Sequence, residues 1–184
     1  MDQEFYLYFF ALVPPEDIQT YVTKVKMDFK ERFESVHALK SPAHITLIPP
    51  FRYKYSAESQ LIKTLDIFSS QELKFKQKLQ DFGFFPPRVI FIKVDKSENL
   101  RNMFHRFKMH MDSKLNLSSL TRGPVRFSPH MTVAFRDLTK ENFNKAKPLY
   151  EEKQISFEFI VCGISLLKHN GKRWEIIHSS DFKG

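Results

Sequence analysis

Apolar positions along the chain form a strand, a helix, a second strand and a further helix, and that order is written twice. Phe5 to Val13 is a nearly continuous apolar run of strand length. Pro14-Pro15 ends it and can open a helix, because a proline is tolerated in the first helical turn. Glu16 and Asp17 suit the positive end of the helix dipole. Ile18, Val22, Val25 and Phe29 then recur at helical spacing. Ser41-Pro42 breaks the pattern, and His44-Ile45-Thr46-Leu47-Ile48 reads as a β-prone strand stopped by Pro49-Pro50.

The second half follows the same plan. Val89 to Val94 is a short strand, Ser97 is a helix cap, and Leu100, Phe104, Phe107, Met111 and Leu115 mark a helix face. After the turn residues Arg122-Gly123-Pro124, Ser128-Pro129 leads into the strand His130-Met131-Thr132-Val133-Ala134-Phe135. Each His-x-Thr strand is preceded by Ser-Pro and followed by Phe-Arg, as Phe51-Arg52 and Phe135-Arg136. Helical patterns come next, through Ala57, Leu61, Leu65 and Phe68 and through Phe143, Ala146 and Tyr150. Long strands are expected over Leu73 to Phe85 and Ile155 to Leu167, and the turn Asn170-Gly171 introduces a last strand from Arg173 to His178. We read this as an internal duplication, approximately 1–85 and 86–184, within a single bilobal domain that allows strand exchange between its lobes.

Composition fits one globular domain: 184 residues, 42% hydrophobic and 27% charged. The 20 phenylalanines are the outlier, and many fall in alternating runs that suit half-buried strands. A formal net charge of +8 favours a polyanionic partner such as RNA or a nucleotide, although lysines scattered along the chain also fit an inert basic surface. Cys162, the sole cysteine, excludes an internal disulfide and a cysteine-built zinc site; in the run Phe159-Ile160-Val161-Cys162 it is expected to be buried. The acidic start lacks the features of a secretory signal, and no apolar run reaches the roughly 20 residues that span a bilayer. A soluble, cytoplasmic monomer with no membrane contact and no obligate protein partner is the expectation.

The repeated motif carries the chemistry. Strand side chains alternate, so His44 and Thr46 share a face opposite Ile45 and Leu47, and His130 and Thr132 share one opposite Met131 and Val133. If the apolar residues pack on the helices of their own lobe, two lobes packed face to face bring both imidazoles and both hydroxyls into one cleft. Two imidazoles supply a general base and a general acid, two hydroxyls donate to phosphate oxygens, and Arg52, Arg122, Arg126 and Arg136 are candidates for further phosphate contacts. With no carboxylate cluster in the motif, neither a metal nor a cofactor is expected. Pseudo-symmetry leaves the two roles interchangeable; the assignment taken is His130 as base and His44 as acid. The other histidines, His37, His105, His110, His169 and His178, are expected to be structural.

At these residues the sequence resembles the two-histidine (2H) phosphoesterase superfamily, in its bacterial 2′-5′ RNA ligase-like branch. The matching segments are His44-Ile45-Thr46-Leu47 and His130-Met131-Thr132-Val133, with Phe127-Ser128-Pro129 leading into the second. The resemblance implies an α+β bilobal fold with two pseudo-twofold-related lobes of antiparallel sheet plus helices around a central cleft. It implies action on 2′,3′-cyclic phosphate termini or 2′-5′ linkages of RNA or nucleotides, with His44 and His130 catalytic and Thr46 and Thr132 binding phosphate. Pro49-Pro50 departs from the family, where a flexible loop is expected. Two other readings stay open: a non-catalytic RNA- or nucleotide-binding module, with Tyr8, Phe9 and Phe91 as exposed stacking aromatics, and a scaffold that has lost its activity.

Overall fold

The structure is a computed structural model that describes residues 4–121 and 123–184. Its strands are β1 (Phe5–Leu12), β2 (Ile45–Lys54), β3 (Phe75–Phe85), β4 (Val89–Val94), β5 (His130–Ala134), β6 (Ser156–Val161), β7 (Gly163–His169) and β8 (Trp174–Asp181). Its α-helices are α1 (Glu16–Phe33), α2 (Glu58–Ser69), α3 (Glu98–Leu115) and α4 (Lys140–Glu151). None of these helices is long and apolar enough to cross a membrane.

The helices form where the apolar period placed them. Ile18, Val22, Val25 and Phe29 of α1 are buried, as are Leu100, Phe104, Phe107 and Met111 of α3. Ser97 caps α3, its hydroxyl accepting from the Leu100 N–H at 3.3 Å. Glu34 and Asn116, at φ 55° and 51°, end α1 and α3 in the left-handed region.

All strand pairs are antiparallel, in two four-stranded sheets ordered β2-β1-β7-β8 and β5-β4-β3-β6. Each sheet draws on both halves of the chain. The expected long strand from Ile155 to Leu167 is in fact two, which divide at Cys162 and enter different sheets: β6 pairs with β3, and β7 with β1. Gly163 sits at the changeover because a Cβ there would lie 2.3 Å from the Ser180 carbonyl oxygen of β8. Cys162 is consequently exposed, not buried as its apolar neighbours suggested.

Pro49-Pro50 does not stop β2, which continues to Lys54. Two features make room for the prolines. β2 is an edge strand, where a missing N–H costs no ladder bond on the open side. The pairing also shifts there: Tyr8 faces Phe51 and Phe10 faces Ile48, so both prolines lie opposite Phe9 as a bulge.

Both sheets and all four helices share one hydrophobic core. Inside it, α1 lies against β5 and α3 against β2. Each motif strand is thus packed against a helix from the other half of the chain, not its own half as expected. That cross-packing draws the two halves together at β2 and β5, which also contact each other.

Candidate active site

The two edge strands β2 and β5 carry the motifs to a common cavity. Ile45, Leu47, Met131 and Val133 are all buried in the core, so the alternation turns His44, Thr46, His130 and Thr132 the other way. All four line one cavity of about 630 Å³, within the usual range for small-ligand sites.

Both imidazoles are held alike. His44 Nδ1 lies 2.8 Å from the Pro42 carbonyl oxygen, and His130 Nδ1 lies 2.7 Å from that of Ser128. A carbonyl only accepts, so each Nδ1 carries the hydrogen and each Nε2 is left for chemistry. The acceptor is two residues upstream in both motifs, although the Ser-Pro pair stands one residue further from His44 than from His130.

Aromatic rings hold the histidines from outside the motifs. Phe9 packs on His44 with ring centroids 4.8 Å apart and is itself packed edge-on with Trp174 at 4.6 Å. Phe85 and Phe91 flank His130 at 5.4 and 5.3 Å. Gly83 makes the second arrangement possible, since a Cβ there would sit 2.4 Å from the Phe91 ring. Tyr8, Phe9 and Phe91, the stacking candidates, are 0%, 3% and 9% exposed and present no free face to a base.

Side chains of α1 clamp the approach to His44. Gln19 Nε2 donates to the Ala43 carbonyl at 2.7 Å, and the Ala43 N–H donates to Gln19 Oε1 at 2.8 Å. Lys26 Nζ, buried, donates to the Ser41 carbonyl at 2.9 Å. Burial pushes the Lys26 ammonium down to about 8. His44 is pushed down to about 4, chiefly by burial, with the charges of Lys26 and His130 acting in the same direction and the Pro42 hydrogen bond opposing. His44 is therefore neutral at physiological pH.

The cavity wall also includes His37, Lys40, Arg136, His169, Lys172 and Trp174, and among the described residues no carboxylate. The cleft is thus positively charged. His37 and His169, expected to be structural, are in it. Asp137 fixes the loop that carries His37 by accepting from the Ser35 hydroxyl and the Val36 and His37 amides at 2.7, 2.9 and 2.8 Å. Arg136, at φ 61°, donates from Nη1 to His37 Nε2 at 3.3 Å. Burial, followed by the charges of Arg136 and Lys40, holds His37 below the ordinary histidine range. Neither residue carried a sequence signal beyond its identity, except that His169 adjoins the hairpin turn.

The candidate arginines separate. Arg136 lines the cavity. Arg52 is exposed and stands over the Phe5 ring at 5.8 Å, outside the cavity lining. Arg126 is exposed on the segment before β5 and is not part of that lining either. Arg122 lies outside the described residues. Among the described residues no three His, Cys, Asp or Glu side chains converge as metal ligands would.

Comparisons with known proteins identify the family and the fold. The model of the 2′-5′ RNA ligase superfamily matches residues 14–173. Among solved structures, TT0787 of Thermus thermophilus superposes with a TM-score of 0.67 at 18% identity, covering 97% of this chain and 98% of that one. E. coli LigT complexed with 3′-AMP gives a TM-score of 0.67 at 16% identity, covering 98% of this chain and 100% of that one. The comparison with curated proteins finds no sequence match. The matched span covers most of the chain, including both His-x-Thr strands, and the chain belongs to the 2′-5′ RNA ligase superfamily, in accord with its two-histidine phosphoesterase motifs.

Proposed function

We propose that the protein is a metal-independent phosphoesterase that opens 2′,3′-cyclic phosphate ends or cleaves 2′-5′ linkages of RNA or nucleotides by two-histidine acid–base catalysis. The observation that carries this reading is the matched anchoring of His44 and His130, each bound through Nδ1 to the carbonyl two residues upstream, with both rings on one cavity. LigT, a structural neighbour, has been solved with 3′-AMP and with ATP, which supports a nucleotide in this cleft.

The electrostatics support the reverse of the expected roles. His44, neutral with a free Nε2 lone pair, is the base, which leaves His130, its Nε2 likewise free of the backbone, for the role of acid. In the hydrolytic step His44 removes a proton from water as the water oxygen bonds to phosphorus. The bond from phosphorus to one ribose oxygen breaks, and His130 protonates that oxygen as it leaves. Thr46 and Thr132 donate to the non-bridging oxygens, and Arg136, Lys40 and Lys172 offset the charge that builds on them. The product is a phosphomonoester, and solvent exchange resets both histidines.

The test is a panel of 2′,3′-cyclic nucleotides, cyclic-phosphate-ended oligonucleotides and 2′-5′ dinucleotides, assayed in EDTA. The expected result is turnover that persists in chelator and falls about 10²–10⁴-fold in His44→Ala and in His130→Ala. Saturable binding without turnover would favour a binding module; activity lost to chelator and restored by a divalent metal would end the two-histidine mechanism.

A further inference from the structure

A second hollow, of about 780 Å³, adjoins the active-site cleft. It runs between α1 and the start of β8, with the segment from Leu39 to Pro42 as its floor. Lys40, Ser41 and Trp174 line both cavities, so the groove and the cleft adjoin at these three residues.

The groove has the chemistry of a nucleic-acid track. Lys24 and Lys40 are exposed on it, and Lys26 lies at its base. Of its two acidic residues, Glu175 is already engaged by Arg173 at 3.1 Å, and Glu16 stands at the start of α1. Thr20 and Thr23 add exposed hydroxyls. Trp174, partly exposed at the junction, is held by edge-on contacts to Phe9 at 4.6 Å and His169 at 5.0 Å. Lysines for phosphates beside an aromatic ring for a base are what a single strand requires without regard to sequence. His130 is flanked instead by apolar rings, Phe85 and Phe91, at 5.4 and 5.3 Å.

We infer that this groove binds the nucleotides preceding the scissile phosphate, which makes a single-stranded oligonucleotide the preferred substrate over a mononucleotide. The inference rests on the reading of His44 and His130 as phosphodiester chemistry. A 2′,3′-cyclic phosphate closes the 3′ end of a strand. With that end between the two histidines, the rest of the strand leaves through the 5′ oxygen of its last nucleoside and needs a path out of the cleft. The Trp174 side offers that path with matching charge. The cleft accommodates the terminal nucleotide, and the groove takes those before it, Trp174 lying between the two.

Two measurements test it. The first compares kcat/KM for a 2′,3′-cyclic mononucleotide and for a cyclic-phosphate-ended hexanucleotide, in wild type, Lys24→Glu and Thr23→Glu. These exposed α1 positions lie outside the catalytic cleft. The expected result is a wild-type preference of about tenfold or more for the hexanucleotide, largely lost in both variants. Mononucleotide rates stay within about twofold, and the salt slope for the hexanucleotide falls by about one in Lys24→Ala, for one phosphate contact removed. Equal wild-type rates on both substrates, or variants that slow both alike, would overturn the groove while leaving the catalytic reading intact.

The second measurement needs no turnover. Trp174 is the chain's one tryptophan, so its emission reports occupancy at the junction. Titration with a 3′-phosphate-ended hexanucleotide and with a nucleoside 3′-monophosphate is expected to show tighter binding of the hexanucleotide, weakened by Lys24→Glu. If neither cyclic phosphate is hydrolysed, the catalytic reading fails and this titration alone decides: equal affinities overturn the groove, and a length-dependent affinity lost in Lys24→Glu sustains it.

Discussion

Lys26 donates its ammonium hydrogen to the carbonyl oxygen of Ser41 at 2.9 Å from a position that is 3% exposed. A buried lysine bonded to a single carbonyl is a costly way to hold a loop, because desolvation of the charge works against it. The segment it holds leads directly to His44, and its charge helps to keep that imidazole neutral. Lys26 is therefore a positioning residue. Lys26→Met is expected to lower kcat about tenfold while stability stays within about 2 kcal/mol of wild type, as loss of the buried charge offsets the unpaired carbonyl. The acid limb of the pH–rate profile should move to higher pH with the Lys26 charge gone. A fall in kcat with an unmoved acid limb would reduce Lys26 to a structural strut.

The depressed His44 gives the proposed mechanism a distinctive pH profile. With His44 as the proposed base, at about 4 and unprotonated throughout the neutral range, the acid limb of kcat/KM should fall near pH 4 and not near 6.5. The sign for stability follows from the same shift. Between about pH 6.5 and 4 the unfolded chain binds a proton at His44 that the folded chain does not. Stability is therefore lost as pH falls through that window and is unaffected by this group above it. Urea unfolding at pH 7 and pH 4.5, in wild type and His44→Gln, should show a smaller acid-induced loss in the variant. An acid limb well above pH 4 would remove His44 from the role of base.

In the proposed mechanism the two threonines hold ground state and transition state alike, since a phosphate keeps its non-bridging oxygens throughout. Thr46→Ala and Thr132→Ala should each raise KM more than they lower kcat, with kcat/KM down about tenfold, short of either His→Ala. Steady-state kinetics on one cyclic nucleotide decide this. A threonine variant as inactive as His44→Ala would show that its hydroxyl acts mainly in the transition state.

Arg136 is the described arginine that reaches the cleft, where it donates to His37. Arg136→Ala is expected to weaken substrate binding by about tenfold and to flatten its salt dependence. Arg52→Ala and Arg126→Ala should leave kcat/KM within about twofold, because neither side chain lines the cavity. Parallel affinity measurements at low and high salt separate the three. A large loss in Arg52→Ala would mean that the substrate extends past Phe5.

What the sequence determined by itself is the set of features governed by local geometry. Helical spacing located α1 and α3, and the hydroxyl of Ser97 announced its cap. Strand alternation put His44 with Thr46 and His130 with Thr132, opposite residues that are indeed buried. Each of these depends on a few consecutive residues and on backbone periods that no tertiary contact alters. Tertiary structure decided everything that depends on which segment becomes whose neighbour. Pro49-Pro50 remains inside β2 because β2 is an edge strand with a bulge opposite Phe9. The run from Ile155 to Leu167 divides at Cys162 because its two ends pair in different sheets. Arg52 and Arg136 follow the same motif at similar places, yet only Arg136 enters the cleft. His37 lines the cleft from the loop beyond α1, Lys26 and Gln19 of α1 hold the segment before His44, and none of the three belongs to a motif. The surroundings of His44 and His130 differ for the same reason: the burial and the Lys26 charge that depress His44, and the rings that pack on each imidazole, come from distant parts of the chain.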